Sequence, residues 1–394
     1  MIRRFLESKI ETILGKKSVL LLGPRQTGKS TLLQSLRPDL SINFAHEDVY
    51  HDHLKNPSLL ALKTRALPER ARKIVLLDEI QRIPSILNTV QALQDEDKNL
   101  RFLLSGSSAR KLSRGRANLL PGRILFEKLY PLTYAEIVNS GLEFDLERSL
   151  KVGLLPEIYL EKEIGAGILS SYAEIYLREE IQAEALVKDV GAYARFLDLS
   201  AELSGQFINY AKLASDSEIN KDTIRNYFDI LEETLLIHRI PVFDRVASAR
   251  KARQKDKFYF FDIGVRNALL KKLNSHFTDT EKGPLFEHLV FQNLKAMLDY
   301  RKSDFEIKTY RDDRNLEVDF ILENSSDLIL IEVKYQKKFR NDFDDNLDEF
   351  SSIVKTKKKI RKFVVYAGKD ALQTPGKTSV LPLSEFLGRL NEVC

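Results

Sequence analysis

The apolar positions of the chain follow three successive rhythms. Up to about residue 140, short unbroken apolar runs alternate with stretches at helical spacing. Val19–Leu22, Ile74–Leu77 and Leu100–Leu104 read as strands buried on both faces, whereas Leu32, Leu33 and Leu36 recur as a helix face does. Ile2, Phe5, Leu6, Ile10 and Ile13, stopped by Gly15, predict an opening helix; Ser41–Phe44 predicts a second short strand, and Leu54, Leu59, Leu60 and Leu62 predict one helix over residues 52–71. A further helix is expected over Ile80–Leu93, with Pro84 in an early turn, and a last strand from Ile124. Alternating strands and helices imply a parallel α/β sheet.

From about 134 to 210 the pattern is helical. A helix-turn-helix rhythm follows: a short helix at 210–215, a polar turn, Asn220 as N-cap, and a second helix whose buried stripe is Ile224, Tyr227, Phe228, Leu231 and Leu235. After residue 256, strands are expected at Lys257–Asp262, Phe305–Arg311, Leu316–Leu322, Leu328–Tyr335 and Lys362–Ala367, with an amphipathic helix at Gly283–Leu294. These changes divide the chain into 1–140, 141–255 and 256–394.

The strand Val19–Leu22 runs into Gly23-Pro-Arg-Gln-Thr-Gly-Lys-Ser30, which fits G-x-x-x-x-G-K-[ST] without adjustment. Such a loop cradles phosphate oxygens with its backbone N–H groups and aims the following helix's positive end at the same anion. Gly23, Pro24, Arg25, Gln26, Thr27, Gly28, Lys29, Ser30 and Thr31 are therefore the expected nucleotide contacts, with Lys29 on the β- and γ-phosphates and Ser30 on Mg²⁺. Lys73-Ile-Val-Leu-Leu-Asp78-Glu79 supplies the second half: Asp78 at a strand end for Mg²⁺, Glu79 to polarise the attacking water.

Leu100–Leu104 leads into Ser105-Gly-Ser-Ser108, where Ser105, Ser107 or Ser108 would sense the γ-phosphate, and Ser107 is the chosen catalytic candidate. A positive charge on the transferring phosphate is expected from Arg123 first and Arg116 second, in cis or from a neighbouring subunit; the alternative is a pair of solvated loop arginines.

Composition narrows the class. With 43% hydrophobic residues the chain has the material for buried cores, no apolar run approaches a membrane span, and Met1-Ile-Arg-Arg-Phe-Leu-Glu lacks a signal-peptide core, so a cytoplasmic location is expected. The single cysteine, Cys394, excludes disulfides within the chain and cysteine-based zinc sites, and His46, His51 and His53 read as solvated rather than as metal ligands. A net charge of +5 leans towards an anionic partner.

Lys221, Arg225 and Asn226 would face outward at the start of the second helix of the helix-turn-helix, either to contact DNA or as the surface of a packing element, and the basic run Ser248–Lys257 is either a linker or a phosphate-tracking loop. A second constellation lies further on. Glu332 and Lys334 share one face of an apolar strand, Asp319 stands on a neighbouring strand, and Glu287 interrupts the apolar part of a helix. Asp319, Glu332 and Glu287 would bind Mg²⁺ with Lys334 orienting water or phosphate, as in a metal-dependent nuclease; a structural Glu-Lys pair and a metal-free nuclease fold kept for DNA binding are the competing readings.

The order of parts resembles the AAA-type P-loop ATPases of bacteria and archaea that carry a C-terminal half of uncharacterised function, with a winged helix and a restriction-endonuclease-like PD-(D/E)xK domain. The resemblance rests on Gly23–Ser30, Leu77-Asp-Glu-Ile-Gln81, Ser105–Ser108, Pro121-Gly-Arg123, Tyr130-Pro-Leu, Phe260-Phe-Asp-Ile-Gly264, Gly283–Glu287, Glu317-Val-Asp319 and Ile331-Glu-Val-Lys334. It departs at Glu179-Glu180-Ile181, where the family pattern usually has Asp-Ile, so no role is carried onto that position. The resemblance implies ATP binding and a homo-oligomer such as a hexamer. The resulting expectation is an ATP-hydrolysing motor or switch acting on double-stranded or branched DNA through a nuclease-like module; the alternative is a nucleotide-gated protein-interaction switch in stress or defence that cuts nothing.

Overall fold

Strand β1 (Ser18–Leu22) is buried along its whole length, flanked by β4 (Leu100–Gly106) and β5 (Ile124–Lys128) in a five-stranded sheet of order β2-β3-β4-β1-β5. β2 (Leu40–Asn43) and β3 (Lys73–Asp78) complete it, and all four pairings are parallel. The expected α/β class is thereby observed, and the carboxyl ends of the strands share one edge. The computed structural model describes residues 2–107, 122–176, 189–246 and 256–390. The chain divides into two compact units, Met1–Leu132 with Ile230–Leu236, and Thr133–Asp229 with Ile237–Cys394.

In the first unit, α1 (Phe5–Leu14), α2 (Lys29–Ser35), α3 (Glu47–Lys55), α4 (Leu59–Arg65) and α5 (Ile86–Glu96) surround the sheet. Leu20, Leu22, Val75, Leu77, Phe102 and Leu104 form the sheet side of its core, with Ile86, Leu87 and Val90 of α5 against them. The single helix expected over 52–71 is two helices. Pro57 lacks the N–H that would continue α3, and the Asn56 side chain accepts from the Ser58 N–H instead. The helix expected over Ile80–Leu93 likewise opens as a 3₁₀ turn, Ile80–Arg82, and restarts at Ile86 beyond Pro84.

The helix-turn-helix belongs to the second unit up to Asp229. Helix Tyr210–Ser217 leads through a left-handed Glu218 to Asn220, whose side chain accepts from the Asp222 N–H at 2.8 Å and caps helix Lys221–Glu233. Phe228 packs edge-on against Phe196, Tyr210 and Phe258. A two-stranded antiparallel ribbon, β6 (Ile237–Ile240) with β7 (Lys257–Phe260), follows, and its continuation bonds to a second sheet through Phe243 N–H to Thr309 O at 2.7 Å.

That second sheet has six strands in the order β12-β13-β11-β10-β9-β8: β8 (Glu306–Arg311), β9 (Glu317–Glu323), β10 (Asp327–Lys334), β11 (Lys359–Tyr366), β12 (Leu372–Gln373) and β13 (Ser379–Pro382). β10 is central, antiparallel to β9 and parallel to β11, as its Leu-Ile-Leu-Ile text predicts. The helix expected from Gly283 is longer than its apolar stripe, Asp279–Arg301, started by a Thr278/Glu281 capping box. Among the described residues no helix is long and apolar enough to cross a membrane.

Candidate functional site

The loop after β1 closes as its spacing requires. Gly28 is left-handed (φ 89°), as is Gln26 (φ 63°), and α2 begins at Lys29. Lys29 is 5% exposed, and its ammonium donates to the carbonyls of Gly23 and Pro24 at 2.8 and 2.9 Å. Thr27 Oγ1 donates to Pro24 O at 2.8 Å, while the hydroxyl-bearing Ser30 and Thr31 face solvent. Arg4, which the motif does not include, holds the loop from behind: its guanidinium donates to Thr27 O at 2.7 Å and to Tyr130 O at 2.6 Å.

Strand order brings the acidic pair alongside. β4 lies between β1 and β3, so Ser105, Ser107 and Asp78 gather at the edge that carries the loop. Asp78 is 3% exposed, and its Oδ1 accepts from the Ser105 hydroxyl and from the Glu79 N–H at 3.1 Å. Glu79 is held in the left-handed region at φ 59°, a conformation that costs a non-glycine residue about 1–3 kcal/mol and concentrates at functional sites. Its carboxylate accepts from Gln81 Nε2, and the same nitrogen donates to Ser107 Oγ at 3.1 Å. Gln81 thus links the two residues expected to orient water and sense phosphate. It belongs to the sequence Asp-Glu-Ile-Gln, but only the fold reveals that it spans two strands. Gly106 makes room for it, since a Cβ there would stand 2.9 Å from Gln81 Oε1.

Arg123 is not brought to this edge. It precedes β5, which runs parallel to β1, so it lies at the amino end of the sheet, where its guanidinium pairs with both Asp95 oxygens at 2.9 and 3.1 Å. That contact holds the Asp95 carboxyl below the usual carboxylate range. A role for Arg123 on the phosphates of its own chain does not fit this position. Ser108, Arg116, Glu179, Glu180 and most of the basic run at 248–257 lie outside the described residues.

The residues of the second constellation are neighbours in the second unit, with Lys257 and Tyr259 among them. Lys334 Nζ donates to Glu332 Oε1 at 2.6 Å, and Asp319 Oδ2 accepts from the Val333 N–H at 2.8 Å. Glu287, however, accepts from Lys257 Nζ and from the Tyr259 hydroxyl, and Lys257 stands 3.6 Å from Glu317. Among the described residues no three His, Cys, Asp or Glu side chains converge to hold a metal ion. Each of the three carboxylates expected to hold Mg²⁺ gives one oxygen to an internal donor: Glu287 Oε1 to Lys257 and Tyr259, Asp319 Oδ2 to the Val333 N–H, and Glu332 Oε1 to Lys334. Burial and the neighbouring Glu332 and Glu287 push the Asp319 carboxyl well above its ordinary value. Burial lowers the Lys257 ammonium, but Glu287, Asp319 and Glu317 outweigh it and raise it.

Three stretches of the chain match family models. Residues 15–138 match the AAA domain model, 143–276 match a domain of unknown function (DUF8612), and 282–386 match another (DUF4143). A Haemophilus influenzae protein described as uncharacterized is 24% identical over 86% of this chain and 88% of its own length. A Mycobacterium tuberculosis protein described in the same way is 27% identical over 64% of this chain, a match spanning just over half, 56%, of that relative. Among solved structures, a Signal Transduction ATPase with Numerous Domains protein with a tetratricopeptide repeat sensor from Pyrococcus horikoshii is 16% identical over 75% of this chain and 45% of its own, at a TM-score of 0.25. The chain carries an AAA domain of the P-loop ATPase kind at its N-terminal end, followed by two domains of unknown function.

Proposed function

We propose that this protein is an ATP-hydrolysing switch whose chemistry resides on the phosphate loop and the Asp78/Glu79 strand end. The observation that carries the reading is the meeting, at one sheet edge, of Lys29, Asp78, Glu79 and the Ser105/Ser107 hydroxyls. The donor set fits ATP with Mg²⁺: loop amides for phosphate oxygens, the exposed Ser30 hydroxyl and the Asp78 carboxylate for the ion. Mg²⁺ bound there would neutralise charge developing on the β- and γ-oxygens. Lys29 exchanges the Gly23 and Pro24 carbonyls for phosphate oxygens. Glu79 orients the attacking water and takes its proton, while Ser107 contacts the γ-phosphate. Nucleotide binding by Lys29→Ala tests this directly: affinity equal to wild type removes the assignment.

The finer reading, that the switch acts on DNA, is favoured by Lys221, Arg225 and Asn226, all exposed on the first turns of helix Lys221–Glu233. Asp222 and Asp229 are exposed on the same helix, and Asp222 pairs with Arg225 at 3.1 Å. With these aspartates beside them, Lys221 and Arg225 would neutralise at most about two phosphates, a salt slope no steeper than roughly −1.8 in log K against log salt. An electrophoretic shift at low salt with ATP checks it; no shift of linear or branched DNA transfers the reading to a nucleotide-gated protein-interaction switch. Assembly into a homo-oligomer, in which Arg123 could face a neighbour's nucleotide, is checked by light scattering with and without ATP.

A further inference from the structure

The acidic centre of the second sheet gathers Glu287, Glu317, Asp319 and Glu332, and cations of the chain answer them: Lys334 pairs with Glu332 at 2.6 Å, Arg311 with Glu317 at 3.4 Å, and Lys257 with Glu287 and Glu317. Lys257 opens β7, is 1% exposed, and points its ammonium at Glu287 and Glu317. The Tyr259 hydroxyl, two residues on and so on the same face of β7, donates to the same Glu287 oxygen. Glu332, 4% exposed, uses Oε1 for Lys334, while its Oε2 is buried without a hydrogen-bond partner.

We infer that Lys257 is a resident cation at the heart of this centre, between Glu287 and Glu317, filling with an ammonium the role that a divalent metal would otherwise play, so that the domain grips its own β6–β7 ribbon and does not cleave phosphodiesters. The physical reasoning is one of charge and space. Several carboxylates taken out of water need positive charge close by, and an ammonium bonded to Glu287 supplies it without the dehydration that Mg²⁺ resists. Lys257 is well placed to serve as a strap. It lies in the strand that pairs with β6, and it also bridges to Phe207, so its ion pairs tie the ribbon beside the helix-turn-helix to Glu287 of helix Asp279–Arg301 and to Glu317 of β9. Breaking a buried pair by removing one partner leaves an uncompensated charge, which makes the strap costly to undo.

The test is Mn²⁺ titration of the nucleotide-free, full-length protein, followed by the electron paramagnetic resonance signal of free Mn²⁺. Wild type and Lys257→Arg are expected to bind no Mn²⁺ at this centre. Lys257→Met, which keeps the apolar stem and removes the charge, is expected to gain one Mn²⁺ site at least about tenfold tighter than any in wild type, and Lys257→Met/Glu332→Gln is expected to lose it. Failure of Lys257→Met to gain a site overturns the inference. So does a site in wild type that Glu332→Gln abolishes, a comparison that needs no variant at Lys257 to fold.

Discussion

Gly23→Ala is a demanding perturbation of the nucleotide site because its effect can be worked from two contacts. A Cβ at Gly23 would stand 2.5 Å from the Leu129 carbonyl oxygen and 3.3 Å from Thr27 Oγ1. Carbon–oxygen contacts relax only beyond about 3.4 Å, so the loop and the 129–130 segment must part by roughly 1 Å. Little in the surroundings can yield. Leu129 N–H donates to Leu22 O at 2.7 Å at the end of the β1–β5 ladder, and the Arg4 guanidinium ties Thr27 O and Tyr130 O to one rigid fork. Overpacking of this kind costs about 1–3 kcal/mol of stability, and a displacement of about 1 Å in a positioning group can cost on the order of 100-fold in rate. The expected outcome is a fall in unfolding temperature of several degrees and a loss of nucleotide affinity of at least about tenfold, read by anisotropy of a fluorescent ADP. Gly167→Ala is the control. It sits inside helix Gly165–Ser171 with nothing within 4 Å of its added Cβ, and it should be neutral or stabilising by about 0.5–1 kcal/mol. Wild-type nucleotide affinity in Gly23→Ala would refute the packing argument.

Two further outcomes follow, one at the nucleotide site and one in the second unit. Gln81→Ala removes the amide that holds Glu79 and Ser107, so kcat for ATP should drop about 10- to 100-fold, the equivalent of one buried hydrogen bond to a charged group, with KM within a few-fold; a change confined to KM contradicts it. Burial raises the Asp262 carboxyl to about 6, above its value in an unfolded chain, although it accepts from the Leu154 and Val265 N–H groups. Its ionisation therefore opposes folding, with a penalty absent below pH 4, growing through pH 6 and worth about 3 kcal/mol above it. Asp262→Asn should lose those charge-assisted hydrogen bonds but gain relative stability as pH rises from 4 to 7; a pH-independent difference in unfolding temperature from wild type contradicts it.

The phosphate loop was legible because its chemistry is local: Gly23 to Ser30 is one turn of chain, and the flanking strand and helix are written beside it. Asp78 and Glu79 were legible for the same reason, at the end of an unbroken apolar strand. Arg123 was not, because its sheet edge is decided by the direction of β5, and pairing direction is a property of two distant strands. Gln81 and Arg4 act across 26 and 126 residues respectively, and no periodicity encodes such reach. Lys257 did leave a trace. A lysine opens the apolar run Phe-Tyr-Phe-Phe, and only the fold sets it against Glu287 and Glu317. The break at Asn56-Pro57 was visible too, and the leucines on either side masked it.

ATP turnover measured beside ATP binding, for wild type, Lys29→Ala and Glu79→Gln, reaches the central claim most directly. Glu79→Gln keeps the shape of the site and removes the base, so it should bind ATP within a few-fold of wild type while turnover falls at least about 100-fold, and Lys29→Ala should lose binding itself. Wild-type turnover in Glu79→Gln would contradict the assignment of the reaction to this sheet edge.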